Sequence, residues 1–255
     1  MHSTDRNDTA RHHVGDETWQ RWAIRRQRRV WESRGRSWHH HQAHNTGLQQ
    51  VVAAVVDAAL TAAGPTLGAV VDLGCGSGQI TLPLAEHAGS VLAVDVSATM
   101  LDELRQRALK TPGGERVETR LCAIEQLRLP PASVDLVVSN YALHHLRDRD
   151  KETVLANARQ WLRSGGVLVV GDMMLGRGTD AADRAIIAGK VKQFARRGPA
   201  GWWRIAKNAA RYLLRMHERP VSSAAWTAMA SRHGFVEVTV RGVVNEAAIL
   251  VARCP

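Results

Sequence analysis

Apolar positions recur along this chain with two different periods, and the switches between them mark its elements. From about Thr46, Leu48, Val51, Val52, Val55, Val56, Ala59 and Leu60 fall at helical spacing. They predict an amphipathic helix with a core face, ended by Gly64-Pro65. Short β-rich runs then alternate with helical stretches. Strands are expected at Val70–Leu73, Val91–Asp95, Val117–Ala123, Val134–Ser139 and Val167–Asp172. Helices are expected at Ile80–His87, at Ala98–Leu109 with Ser97 as N-cap, and from about Lys151 to Leu162, where Gly165-Gly166 breaks the pattern. Such alternation means βαβ units and a parallel sheet. The tail differs: Phe235–Arg241 and Ala247–Ala252 are two strand-like runs joined by a short turn.

Outside this alternation the chain changes character. Residues 1 to about 15 are polar and aperiodic and are expected to be disordered. Glu17–Glu32 reads as a basic helix carrying Trp19, Trp22, Ile24 and Trp31 among arginines, followed by Ser37-Trp38-His39-His40-His41. Between Asp172 and Phe235 lies an insertion too long for a connector, divided by Gly198-Pro199. In its second half Trp202, Ile205, Ala206, Ala209, Leu213 and Met216 share one helical face, with Arg204, Lys207, Arg211 and Arg215 opposite. These two appendages hold the net charge of +10: residues 183–219 carry ten Lys or Arg against two Asp or Glu. The remainder is nearly neutral. The asymmetry points to an acidic partner such as a phosphate, an anionic membrane surface or nucleic acid, unless the arginines only decorate solvated helix faces. Three cysteines, Cys75, Cys122 and Cys254, are odd in number and widely spaced, which argues against a disulfide framework. No apolar signal region opens the chain, and no uninterrupted apolar run reaches the roughly eighteen residues of a membrane span. A cytoplasmic protein is expected, with a peripheral membrane contact as the variant.

The strongest local signal is Val70-Val71-Asp72-Leu73-Gly74-Cys75-Gly76-Ser77-Gly78. A buried strand ends in glycines that permit a tight turn and close approach of a ligand to the backbone. The helix that follows would aim its N–H groups at that ligand. The geometry suits a nucleotide-like molecule at the carboxyl edge of a parallel sheet. The third glycine falls one residue early for a dinucleotide fingerprint, and no Lys-Ser or Lys-Thr follows to make a P-loop. An aspartate two residues before G-x-G-x-G resembles the first motif of the class I S-adenosylmethionine-dependent methyltransferases. The antiparallel terminal hairpin is a hallmark of the same family. The resemblance spans roughly residues 38–174 and 222–254. It implies an α/β three-layer sandwich with a seven-stranded, mostly parallel sheet and an antiparallel C-terminal hairpin. The expected organisation is a basic N-terminal arm and lid (1–45), a cofactor-binding core (46–175), an inserted helical basic cap (176–221) and the end of the core (222–255).

By that resemblance, S-adenosyl-L-methionine is the cofactor. Asp95 would hold its ribose, as a strand-end carboxylate does in other nucleotide folds. Val96 and Met100 would flank the adenine, and Asp72 would bind or orient the methionine part. Gly74, Cys75, Gly76 and Gly78 would form the turn beneath it, with Ala123, Ile124 and Asn140 along the far wall and Trp38 as the lid aromatic. Many relatives carry Asp-Ala where this chain has Cys122-Ala123, and a thiol is a poor acceptor for the adenine amino group. Ser139-Asn140-Tyr141-Ala142-Leu143-His144-His145-Leu146 ends like many small-molecule methyltransferases. It lacks the prolines of amino-methylating DNA enzymes, the Pro-Cys of cytosine-C5 enzymes and the acids of a metal-dependent catechol-type site. His39, His40, His41 and His44 match no closed zinc spacing, so no metal is expected.

Methyl transfer from a sulfonium is an in-line displacement that needs alignment and a dry pocket more than a strong acid or base. A base matters only where the nucleophile arrives protonated. His144, His145 and Asp172, expected at strand ends facing the pocket, are the catalytic candidates, the alternative being that the histidines pack or bond the lid. The leading expectation is O-, N- or C-methylation of a small or lipophilic metabolite. The rivals are an acceptor such as a lipid or quinone held at an anionic membrane through Arg204, Lys207, Arg211 and Arg215, an RNA methyltransferase or nucleic-acid binder, and a cofactor-binding regulator without catalysis. Oligomeric state is not legible.

Overall fold

Neighbouring residues of the central strands part to opposite faces, and each face builds its own core. In β1 (Leu67–Leu73), Val70 packs with Val91, Leu136, Val169 and Ile249 on one side, while Val71 packs with Val137, Leu168 and Leu250 on the other. Strands apolar on both faces are what a parallel sheet between two helical layers requires. These relations come from a computed structural model that describes residues 46–176, 181–196 and 219–255, with Arg25, Arg28, Arg29, Glu32, Gly198, Trp202 and Trp203 as isolated positions. Trp38, the histidines at 39–44, most of the expected helix Glu17–Glu32, the polar stretch 1–15, and Arg204, Lys207, Arg211 and Arg215 lie outside the described residues.

The sheet has seven strands in the order β3-β2-β1-β4-β5-β7-β6. The others are β2 (Ala88–Asp95), β3 (Val117–Leu121), β4 (Val134–Asn140), β5 (Leu162–Met173), β6 (Val236–Val244) and β7 (Ala247–Arg253). Pairs among β1 to β5 are parallel, and β7 runs antiparallel to both β5 and β6. The three-layer α/β expectation with a terminal antiparallel hairpin holds. The strand order reverses between β1 and β4, which is where open parallel sheets bind ligands.

Helix α1 (Thr46–Ala63) covers one face through buried Val51, Val55, Ala58 and Ala59. It is long and apolar enough, by length and composition, to cross a membrane, but this buried face is packed on the sheet. The opposite face is covered by α4 (Asp148–Trp161) and α6 (Ser223–Arg232), which seat Trp161 and Trp226 at 2% and 1% exposure. Between these lie α2 (Thr81–Ala85), α3 (Ala98–Ala108) and α5 (Ala181–Ala195). Ser97 caps α3 as expected, its hydroxyl accepting from the Met100 N–H at 3.4 Å.

Several boundaries differ from the sequence reading. The helix expected over Ile80–His87 shortens to α2, because Leu67 pairs with Ala88 and draws Ala88-Gly89-Ser90 into β2 despite their weak strand preference. β3 stops at Leu121, where its partner strand ends at Asp95, and Ile124–Gln126 form a 3-10 turn. α4 starts at Asp148 rather than near Lys151. β5 opens at Leu162, not Val167: Leu162 pairs with Val134 and Val167 with Leu136, so residues 163–166 bulge out, with Gly165 at φ +78°.

Candidate active site

The carboxyl edge of β1, β2 and β4 forms a cavity, and the glycine turn is its floor. Gly74 and Cys75 donate their N–H groups to Val94 O at 2.8 and 3.1 Å, which folds the turn back onto β2. Gly74, Gly76 and Gly78 all adopt positive φ, a region that side chains disfavour. Each glycine then has its own task. A Cβ on Gly74 would stand 2.3 Å from the Ala142 Cβ, so its absence lets the turn meet the loop after β4. A Cβ on Gly78 would meet Leu104 at 2.2 Å, so this glycine seats α3. Nothing lies within 4 Å of a Cβ on Gly76, which lines open space.

Two carboxylates frame that space. Asp95, at the end of β2, accepts the Gly76 N–H on Oδ2 at 2.9 Å and the Ser97 N–H on Oδ1 at 2.8 Å. Each oxygen keeps a second acceptor direction, which suits two vicinal hydroxyls. Burial raises the pKa of Asp95 even though its hydrogen bonds to the backbone oppose the shift. Asp72, at 1% exposure, accepts the Thr81 hydroxyl at 2.6 Å. Burial pushes it up to about 7, against the pull of the Thr81 hydroxyl and with the help of nearby Asp95. Val96, Met100, Ala123 and Ile124 line the same cavity and give it apolar surface suited to a flat ring. Asn140 joins the wall, and its Oδ1 is buried without a hydrogen-bond partner. The acceptors at Asp95, the open Gly76 and the apolar surface fit the adenosine that the sequence resemblance implies.

The expected site residues separate into two groups. Asp72, Gly74, Cys75, Gly76, Asp95, Val96, Met100, Ala123, Ile124, Asn140 and His145 line the cavity. Gly78, His144 and Asp172 do not. His144 and Asp172 were expected to face the pocket and are instead buried against each other, Nδ1 to Oδ1 at 2.5 Å. Asp172 also accepts the His144 N–H and the Met173 N–H, both at 2.8 Å. The His145 ring lies against that of His144, centroids 3.9 Å apart, and is the one of the three catalytic candidates that reaches the cavity. Cys122 stays off the lining and donates its thiol to Ala123 O at 3.2 Å.

Sequence reasoning missed Glu125, named Tyr141 and Leu146 only as part of the segment after β4, and placed Leu48 in the core, whereas Leu48 is half-buried on the cavity wall. Glu125 gave no periodic signal, since it sits on the 3-10 turn. Tyr141 takes a left-handed φ of +50°, and its N–H reaches Gly171 O at 2.8 Å. Strain of this kind collects at functional sites. Burial, with Glu246 and Asp172 nearby, pushes its phenol up to about 12. Among the described residues no group of three or more His, Cys, Asp or Glu could hold a metal.

The stretch that builds this cavity resembles known proteins. Residues 70–166 match the methyltransferase-domain family. A stretch of 125 residues is 31% identical to an uncharacterized methyltransferase of Geobacillus thermodenitrificans (strain NG80-2), covering 49% of this chain and 55% of that protein. Over 107 residues the chain is 32% identical to the 27-O-demethylrifamycin SV methyltransferase of Amycolatopsis mediterranei (strain S699), covering 42% of this chain and 39% of that one. The chain thus spans about half the length of the curated relatives it matches. The fold is that of the magnesium protoporphyrin IX methyltransferase of Synechocystis PCC 6803 solved with bound SAM. The TM-score is 0.62 at 16% identity, covering 91% of this chain and 97% of that one.

Proposed function

We propose that this chain, which matches the methyltransferase-domain family over residues 70–166 and shares the fold of a solved methyltransferase, is a class I S-adenosylmethionine-dependent methyltransferase that transfers a methyl group to a small or lipophilic metabolite. The observation that carries the reading is Asp95 with spare acceptor directions beside the open Gly76, inside the stretch that matches the family. S-adenosyl-L-methionine supplies an activated methyl on a cationic sulfur. Asp95 binds the ribose hydroxyls. Val96, Met100, Ala123 and Ile124 hold the adenine. Asp72 and Asn140 meet the methionine end, and Gly74, Cys75 and Gly76 let it lie on the backbone. Backbone groups near Ala123 serve the adenine amino group, since Cys122 points its thiol elsewhere. His145 is the base where the acceptor arrives protonated, and the His144–Asp172 pair is a positioning unit that sets its wall. Calorimetry with S-adenosylmethionine and S-adenosylhomocysteine tests the reading, with NAD as control. Micromolar binding that Asp95→Ala abolishes supports it; folded protein that binds neither ligand overturns it.

A second reading, an acceptor presented at an anionic membrane surface, draws on one observation. Trp202 and Trp203 are 59% and 74% exposed, although Trp202 begins the apolar side of the expected basic helix. Co-sedimentation with phosphatidylglycerol vesicles tests it, and binding unchanged by Trp202→Ala with Trp203→Ala refutes it. Nothing comparable favours nucleic acid.

A further inference from the structure

The cavity and the chain carry opposite charge. The protein bears a net +10, yet among the described residues the charged lining of the cavity is Asp72, Asp95 and Glu125, with no Lys or Arg. Asp95 comes from β2, Glu125 from the turn after β3, and Tyr141 and His145 follow β4. Cys75 belongs to the glycine turn, and α2 contributes the neutral Thr81. Arg107 of α3 reaches the turn only by donating to Ser77 O at 2.6 Å and does not line the cavity. Asp72 therefore sits buried with Asp95 as its charged neighbour and the neutral Thr81 as its hydrogen-bond partner, while Glu125 on the same lining has Asp150 and Arg147 beside it.

Accepting the methyltransferase reading, we propose that Asp72 distinguishes substrate from product by charge: it is ionised against the cationic sulfonium and takes up a proton once the methyl group has left. The methyl carbon departs without the electron pair of its bond to sulfur. Sulfur keeps that pair and becomes a neutral thioether. The acceptor's lone pair forms the new bond, and any proton it carried is released. The proton taken up by Asp72 comes from the acceptor or from water. Substrate and product share the ammonium and carboxylate of the methionine end and differ by the sulfonium charge; without it Asp72 faces the Asp95 carboxylate with less compensation, and protonating Asp72 relieves the repulsion. Burial already lifts Asp72 to about 7 in the free protein, so this change falls in the neutral range.

The test is binding, and it needs no acceptor. S-adenosylmethionine affinity should rise by up to about tenfold between about pH 6 and about pH 8, while S-adenosylhomocysteine affinity changes by less than about threefold. Calorimetry of the full chain in phosphate and in Tris counts the protons released by each ligand; only S-adenosylmethionine should release a substantial fraction of one. Asp72→Asn should flatten the pH dependence of the affinity ratio. If both ligands bind with a ratio that does not move with pH, the proposal fails and the methyltransferase reading stands. If neither binds, that reading fails first. A pH-dependent ratio that persists in Asp72→Asn assigns the proton elsewhere and overturns the role of Asp72. Should the variant not fold, the proton counts of the wild-type chain decide alone.

Discussion

Asp72 and Asp172 are the next-to-last residues of two strands of the same sheet, at 1% and 0% exposure, yet the fold uses them in opposite ways. Asp172 spends its acceptor capacity inside the protein, on the His144 N–H, the Met173 N–H and the His144 ring. It lies off the cavity and locks the loop after β4 onto β5. Asp72 draws its hydrogen bonds from one residue, Thr81, and turns the rest of its capacity toward the cavity. A buried carboxylate is thus structural or ligand-directed according to how many of its lone pairs the folded chain already occupies. Burial alone does not separate the two roles.

The largest effect that sharpens this contrast belongs to Asp172. Replacing Asp172 by Ala strands two backbone N–H groups and the His144 ring in the interior. Losing one member of such a buried pair costs about 3–5 kcal/mol, so urea unfolding should show a large fall in midpoint. Cofactor affinity of the molecules that stay folded should change by less than about threefold. A loss under about 1 kcal/mol would break the comparison, because Asp172 would then be as spare as Asp72. Next comes Asp95→Ala. Removing the ribose acceptor should weaken S-adenosylmethionine binding about a hundredfold, roughly 2.7 kcal/mol, by calorimetry. The midpoint of unfolding should fall less than for Asp172→Ala: the Gly76 and Ser97 N–H groups lose their acceptor, but a carboxylate whose ionised form burial opposes goes with it.

The same contrast explains what was readable from sequence. The β1–β2 side was legible because its chemistry is local: Asp72, the three glycines and Asp95 fall within a short span whose spacing carries the geometry. The parallel core and the terminal hairpin were legible from periodicity, although Leu162 and Ala88 entered strands through tertiary pairing that no propensity announces. The β4–β5 side was not, because its logic is long-range. His144 and Asp172 are 28 residues apart and meet only in the fold, so two residues that looked like a pocket-facing acid and base proved to satisfy each other. Glu125 reached the cavity from a 3-10 turn, which has no period to detect. Gly78 shared a motif with Gly76, and only packing against Leu104 told them apart.

A smaller effect tests Asp72 from the stability side. Its ordinary value of 3.8 is raised to about 7 in the folded state. The unfolded chain therefore ionises first. Stability from this group is fully present below about pH 4 and is lost as pH rises toward 7, above which the penalty is constant. Asp72→Asn keeps an oxygen for the Thr81 hydroxyl and removes the titration. It should match the wild type near pH 4 and exceed it by on the order of 2 kcal/mol at pH 8, read from urea midpoints across pH. A gap that widens toward acid pH instead would mean that Asp72 is held ionised, as a fully partnered carboxylate is, and the contrast with Asp172 would collapse.

The smallest effect concerns Tyr141, which stands between the two regions. It lines the cavity and presents an edge to His144, ring centroids 6.2 Å apart. Its φ of +50° is costly for a bulky side chain and tolerable for asparagine. Tyr141→Asn should relieve strain of about 1 kcal/mol and forfeit an aromatic contact of about 0.5–1.5 kcal/mol. The two nearly cancel, so the unfolding midpoint should scarcely shift. If the strained backbone serves ligand binding, S-adenosylmethionine affinity should still fall severalfold, whereas Tyr141→Phe, which keeps the ring and loses only the hydroxyl, should bind normally. A midpoint that drops with affinity intact would place Tyr141 with Asp172, as a piece of the lock on the loop after β4.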